Sequence, residues 1–324
     1  MRAAIVGAGL MGEWHARAAR RAGATVDLVI DPVESRASSL ARYFSGAKWS
    51  ADPEALANSG VKSAHICTPL ADHESSVERA IRAGISCLVE KPLAANAAST
   101  ERLLELARVE GVLLCPSHQY LYQEGVMEAL AAVHSIGPLR HCRALCCTAG
   151  ADCGTDPSSL AADILPHHLA VFRRLKAEGF HALVWRSESA RAGELSAFAN
   201  DGTTTFSIIV STGGRPTRNE VELIGEHGTI TIDLFHGFSV RIDGRVSRVS
   251  KIGRPLVSAT GTLAAATFNL ARRAVTGETA FPGLRELVQR YYTSLRSGSP
   301  GPITPQETVD VAVARDAIVQ ALTA

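Results

Sequence analysis

The run Ala3-Ala4-Ile5-Val6-Gly7-Ala8-Gly9-Leu10-Met11-Gly12 constrains this chain more than any other stretch. A short apolar segment ends in G-x-G-x-x-G, and the helical pattern MGEWHARAARRAG follows at once. In that context Gly7 permits the tight turn and Gly9 lets the backbone approach a pyrophosphate. Gly12 allows the strand and helix to pack closely. The helix start offers N–H groups and a partial positive charge to phosphates, so Gly7, Ala8, Gly9, Leu10, Met11 and Gly12 form one candidate binding turn.

Asp31 ends the next apolar run, VDLVID, 19 residues beyond Gly12. A carboxylate there accepts hydrogen bonds from both ribose hydroxyls and repels a 2′-phosphate, which favours NAD over NADP. Arg36 is the nearby group that could turn toward such a phosphate. Two plainer readings stand beside this one. Asp31 could be a turn residue before Pro32, or the glycine turn could hold another nucleotide or S-adenosylmethionine.

Strands and helices alternate through the first third, which predicts βαβ units, a doubly wound parallel sheet and ligands at the carboxyl ends of its strands. Gly23, Gly84 and Gly111 each follow a helical pattern, where a left-handed cap is expected. After about residue 120 the pattern changes. RHCRALCCTA, HALVWRSES, TTTFSIIVS, RNEVELIGE, GTITIDLF and GFSVRIDG read as strands of an open, mostly antiparallel sheet, and Gly150–Ser159 reads as a loop. A chain of 324 residues is long for one core. The predicted organisation is a Rossmann domain over 1–120 and an α+β substrate-binding and oligomerisation domain over 121–324, with the C-terminal helix free to pack back on the first.

The formal net charge of +1 gives no reason to expect nucleic acid or an anionic membrane as partner. The N-terminus does not read as a signal peptide, and no segment reaches the ~20 apolar residues of a membrane span. The seven cysteines show no metal-ligand spacing, so packed, reduced thiols, no metal site and a cytoplasmic location are expected. The apolar stretch SATGTLAAATFNLARRAV reads as a core or subunit-contact helix.

Two further segments narrow the field. ICTPLADHESSVERAIRAGISCLVEKPLAAN carries Thr68, Pro69, His73, Ala83, Gly84, Glu90, Lys91 and Pro92. It resembles the signature region of the Gfo/Idh/MocA oxidoreductases, in which T-P-x-x-x-H precedes a helix and a strand ending E-K-P. The resemblance implies a Rossmann domain and an open-sheet domain with nicotinamide and substrate between them. Thr68, Pro69 and His73 would line the cofactor side, and Glu90 and Lys91 would reach the nicotinamide ribose and the reacting carbon. Ser117-His118-Gln119-Tyr120-Leu121-Tyr122 matches the family's crossing segment, which makes Gln119 a cofactor neighbour and Tyr122 a pocket residue.

Asp163 and His167 lie four apart and so share a face of a helix. They match the family's D-x-x-x-H motif, in which the histidine stands over the substrate. Histidine suits a base that takes a hydroxyl proton near neutral pH. Asp163 would orient it, and Lys91 would polarise the oxygen or share the proton. A helix cap is the plain alternative for Asp163. His168 duplicates the base one residue along, about 100° away on a helix, so His167 is preferred. The family's Gly-Gly before this Asp is replaced by Leu160-Ala161-Ala162, and Pro166 fits a regular helix only in its first turn.

The resemblance implies an NAD(P)-dependent dehydrogenase of a sugar, sugar derivative or cyclitol, acting on a small molecule as a homo-dimer or homo-tetramer. The alternatives are a non-sugar carbonyl, imine or alkene, a redox-neutral reaction with retained NAD, and a non-catalytic sensor.

Overall fold

Apolar runs without alternation require strands buried on both faces, and the first unit supplies them. The computed structural model describes residues 1–148, 156–176, 178–244, 248–278 and 280–323. Cys153 and most of the expected 150–159 loop lie outside these residues. Among the described residues, β1 (Arg2–Val6), β2 (Thr25–Ile30), β3 (Lys48–Ser50), β4 (Ser63–Ile66), β5 (Ser86–Val89) and β6 (Leu114–Pro116) form a parallel sheet of order β3-β2-β1-β4-β5-β6. The order reverses at β1, which places a ligand crevice at the carboxyl ends of β1 and β4. The edge strand β3 escapes the sequence pattern, because it has three residues and exposes Lys48 and Trp49.

The intervening helices are α1 (Leu10–Arg21), α2 (Glu34–Ala41), α3 (His73–Arg82) and α4 (Ala97–Val109). One sheet face packs Ile5, Val26 and Val29 against Ala16, Leu40 and Phe44. The other packs Val6, Ile66 and Val89 against Val77, Ile81 and Leu103. Full burial of such a side chain contributes about 1.5–3 kcal/mol. Gly23, Gly84 and Gly111 adopt φ of +81°, +69° and +67°, the left-handed caps expected after α1, α3 and α4.

The second unit is built on β7 (Leu139–Cys147), β8 (Arg186–Glu188), β9 (Glu194–Asn200), β10 (Thr205–Ser211), β11 (Arg218–Gly225), β12 (Gly228–Asp233) and β13 (Phe238–Asp243). Their order is β13-β12-β11-β7-β10-β9-β8, with every neighbouring pair antiparallel except β7 with β10. Alternation is visible along β12, where Ile230 and Ile232 are buried and Thr229, Thr231 and Asp233 half-buried. Cys142 and Cys146 share the buried face of β7. The helices are α5 (Glu124–Ala132), α6 (Pro157–Leu175) and α7 (Arg248–Thr276), and the chain closes with α8 (Leu284–Ser297) and α9 (Pro305–Thr323).

Three details depart from the sequence pattern. HALVWRSES is a strand only over Arg186–Glu188, its start being a turn of 3-10 helix at Phe180–Ala182. The residues Pro157-Ser158-Ser159, expected in a loop, open α6. Asp156 caps them, its Oδ2 accepting from Ser159 N at 2.9 Å, with Pro157 in the first turn. Pro166 therefore lies in the interior of α6 rather than its first turn. The stretch read as a core or subunit-contact helix lies in α7, on which Leu263, Phe268 and Leu270 are exposed in the single chain.

The chain divides into two units, Met1–His118 with Leu284–Ala312, and Gln119–Gly283 with Val313–Ala324. No described helix is long and apolar enough to cross a membrane.

Candidate active site

Each glycine of the turn has a different reason to be glycine. Gly7 has φ +96°, and a Cβ there would lie 2.5 Å from the Cys67 carbonyl oxygen. A Cβ on Gly12 would lie 1.9 Å from the Gly7 carbonyl oxygen, so α1 cannot otherwise start this close to β1. A Cβ on Gly9 would meet no protein atom within 4 Å. Gly9 is also the N-cap of α1 and brings no capping side chain to its first N–H groups. A turn closed on its inner side and bare on its outer side fits a pyrophosphate. Beside it, Asp31 is nearly buried, and its Oδ2 accepts from Ala8 N at 2.8 Å while Oδ1 accepts from Val33 N at 2.9 Å. The plain reading of Asp31 as a turn residue is thus also met, since the Val33 bond is an Asx turn. The Ala8 bond goes further and ties this carboxylate to the glycine turn.

The signature segment ends at the same sheet edge. His73, at the start of α3, is buried, with Nδ1 2.9 Å from the Pro92 carbonyl and Nε2 2.9 Å from the Thr68 carbonyl. Its ring braces the loop after β4 against the loop after β5, and its nitrogens face backbone. Thr68 and Lys91 are half-buried, and the Lys91–Pro92 peptide is cis. Glu90 turns inward: its Oε1 lies 2.8 Å from Nε2 of His15 on α1, and its Oε2 accepts from Lys91 N at 3.3 Å. Nδ1 of His15 is 2.9 Å from Nδ1 of His65 on β4, and Nε2 of His65 is 2.8 Å from Oη of Tyr292 on α8. The sequence offers one signal for His15. It shares the buried helix face of Gly12, Ala16 and Ala19, where a polar side chain needs a partner.

The second unit assembles the other motif. Asp163, His167 and His168 all lie on α6, and Asp156 occupies the cap position that is the plain alternative for Asp163. Asp163 is exposed, whereas His167 and His168 are buried. His167 stacks on the ring of Tyr120, with centroids 4.1 Å apart and planes within 13°. His168 faces the Ile164 carbonyl through Nδ1 (3.2 Å) and Asn219 Oδ1 through Nε2 (2.8 Å). Asn219 Nδ2 donates to Tyr120 Oη at 3.0 Å, which orients the amide so that its oxygen accepts from His168. Burial holds the His168 pKa below the ordinary histidine value, against its two hydrogen bonds. Burial likewise raises the Tyr120 phenol, with Cys146 and Asp163 adding to the rise. Gln119 and Tyr122 are both buried, and the Arg174 guanidinium lies over the Tyr122 ring at 5.9 Å. Sequence reasoning misses Tyr120 and Asn219 as site residues, because the contact joining them spans 99 residues.

A doubly wound sheet with this glycine turn and its tethered acidic residue defines a dinucleotide-binding α/β protein. Residues 1–118 match the Gfo/Idh/MocA model, described as "Oxidoreductase family, NAD-binding Rossmann fold". Among curated relatives, scyllo-inositol 2-dehydrogenase (NAD(+)) of Bacillus subtilis is 33% identical over 116 residues, 35% of this chain and 34% of that protein. The dTDP-3,4-didehydro-2,6-dideoxy-alpha-D-glucose 3-reductase of Streptomyces violaceoruber is 31% identical over 195 residues, 53% of this chain and 54% of that one. The matches thus span from about a third to about half of these relatives. The fold extends further. The WlbA dehydrogenase from Bordetella pertussis, solved with NADH and UDP-GlcNAcA, superposes with a TM-score of 0.79 over 100% of this chain and 95% of its own, at 15% identity.

Proposed function

We propose that this protein is an NAD-dependent dehydrogenase or reductase acting at a hydroxyl or oxo carbon of a sugar, sugar derivative or cyclitol. The observation that carries the cofactor half is the Asp31 carboxylate bonded to Ala8 of a turn whose Gly9 is bare on its outer side. The inositol and deoxysugar enzymes among the partial relatives support the substrate class. Gly7 to Gly12 would hold the pyrophosphate and Asp31 the adenosine ribose. Bound NAD would supply the hydride acceptor or donor.

The remaining chemistry belongs to side chains. His167 takes or returns the hydroxyl proton, Asp163 orients that base, and Lys91 offers a cation to a substrate oxygen. Both nitrogens of His168 are engaged with Ile164 and Asn219, which supports His167 over its neighbour. Tyr120 holds the His167 ring in plane by stacking. Spectrophotometric assay with NAD and a panel of inositols and aldoses tests the proposal. NADH formation by the wild-type chain on a panel member is expected, and NADH binding without any turnover would favour the sensor.

Two variants probe the details. Asp31→Ser removes the charge that repels a 2′-phosphate, so the kcat/KM ratio for NAD over NADP is expected to fall about tenfold or more, some 1.4 kcal/mol. An unchanged ratio would sever Asp31 from cofactor choice. Tyr120→Leu abolishes the stack under His167 and is expected to cut kcat about tenfold, an effect of the size seen for groups that orient a reacting residue. Tyr120→Phe keeps the ring and should stay within about threefold, and equal loss in both variants would assign the effect to the hydroxyl instead.

A further inference from the structure

The side chains clustered behind β5, Lys91 excepted, have no task in the chemistry assigned above. The members of the cluster come from four directions: His15 from α1, His65 and Cys67 from β4 and the loop after it, Glu90 and Lys91 from the end of β5, and Tyr292 from α8. Ser117, after β6, also hydrogen-bonds Glu90. His15 and His65 are wholly buried, and Glu90 nearly so.

We propose that His15 is a positioning residue which, as an imidazolium locked between Glu90 and His65, fixes the carboxylate and backbone that carry Lys91. The inference rests on the role given to Lys91 above.

With Glu90 ionised, as its lowered pKa indicates, counting protons along the chain leaves two arrangements. Each short contact holds one hydrogen, and a carboxylate at Glu90 can only accept, so Nε2 of His15 donates. The 2.9 Å contact between the two Nδ1 atoms holds a single proton. If that proton belongs to His15, the ring is a cation, and His65 accepts at Nδ1 and donates through Nε2 to Tyr292. If it belongs to His65, His15 is neutral, and Glu90 lies buried as a carboxylate without a cation on its inner oxygen. Buried charge without a partner is strongly disfavoured, so the first arrangement holds. The titration tendencies agree. Burial alone would strip the His15 proton, but Cys67 and Glu90 beside it outweigh burial and raise its pKa. Burial and the His15 charge push His65 well below the ordinary value. Burial would raise Glu90, yet the contacts with His15, then Lys91 and Ser117, leave it lowered.

The consequence reaches Lys91 through one residue. Glu90 Oε1 is held by His15 while Oε2 receives the Lys91 N–H, so the carboxylate clamps the backbone of its neighbour to α1. The imidazolium also draws the Glu90 charge inward, away from the Lys91 ammonium. Removing it would let the carboxylate take up a proton or turn toward that ammonium. Either change moves the group that must meet the substrate oxygen, while the glycine turn and Asp31 stay in place.

The test has an arm that needs no substrate. Nitrogen-15 NMR of histidine-labelled wild-type protein at neutral pH, with the signals assigned, should show the His15 ring protonated on both nitrogens and His65 as the Nε2–H tautomer. A neutral His15 overturns the inference whatever the kinetics. In the kinetic arm, wild type, His15→Leu and His15→Gln are compared for NADH affinity and for turnover on the panel member that the wild type oxidises. His15→Leu should lower kcat about 10–100-fold, with NADH affinity unchanged within about threefold. His15→Gln, which can still donate to Glu90, should recover part of that loss. An undiminished kcat in His15→Leu overturns the positioning role. Absence of turnover in the wild type overturns the proposed function, and with it the role for His15 in that reaction.

Discussion

Replacing His167 by Asn should lower kcat by about 10²–10⁴-fold, the range for loss of a positioned acid/base, and leave NADH affinity nearly unchanged. The asparagine keeps a polar group of similar length but cannot take a proton near neutral pH. His167 lies in the second unit, on α6, whereas Gly7 to Gly12 and Asp31 lie in the first. Cofactor affinity therefore reports the one motif and turnover the other. Lys91→Ala should show the same split, since Lys91 is assigned to the substrate oxygen rather than to the pyrophosphate. His168→Asn provides the control. Its wild-type ring is held by Ile164 and Asn219, so the loss should appear chiefly as stability, about 1–3 kcal/mol for a buried hydrogen-bonded group. A kcat that falls with His168→Asn and survives His167→Asn would exchange the two assignments.

The elements legible in the sequence are those whose local pattern matches their burial. Parallel strands covered on both faces must be apolar runs, and β1, β2, β4 and β5 are. An edge strand of three residues with two exposed side chains has no such obligation, and β3 carries no signal. The start of α6 is obscured for another reason. Asp156-Pro157-Ser158-Ser159 has the composition of a loop, but an Asp cap followed by Pro in the first turn is equally a helix start. Within the candidate site, the pairing of the glycine turn with Asp31 is legible because both lie within one βαβ unit. The clusters around His167 and Glu90 are only half legible. Their motif residues are local, but the groups that hold them, Tyr120 and Asn219 in one case and His15, His65 and Tyr292 in the other, arrive from distant segments. Nothing in one segment's pattern records which side chain of another it will meet.

The glycine turn separates folding from binding within a few residues. Gly12→Ala would place a methyl group 1.9 Å from the Gly7 carbonyl oxygen, a backbone atom that cannot swing aside as a side chain would. The helix start must shift, and a stability loss of at least about 3 kcal/mol is expected by denaturant titration, at the upper end for overpacking. Cofactor affinity should fall as well, since the same shift moves the first N–H groups of α1. Gly9→Ala should behave in the opposite way. Its φ is −79°, which an L-residue adopts without strain, and the new methyl group meets no protein atom within 4 Å. The melting temperature should therefore stay close to the wild-type value, because alanine's restriction of the unfolded chain by about 0.4–1 kcal/mol offsets its poorer fit at the N-cap. NADH affinity should nevertheless drop about tenfold or more, as the methyl group occupies the surface assigned above to the pyrophosphate. A Gly9→Ala protein that is stable and binds NADH as tightly as the wild type would place the cofactor elsewhere. One that is stable and no longer binds would locate the phosphates on the bare side of this turn.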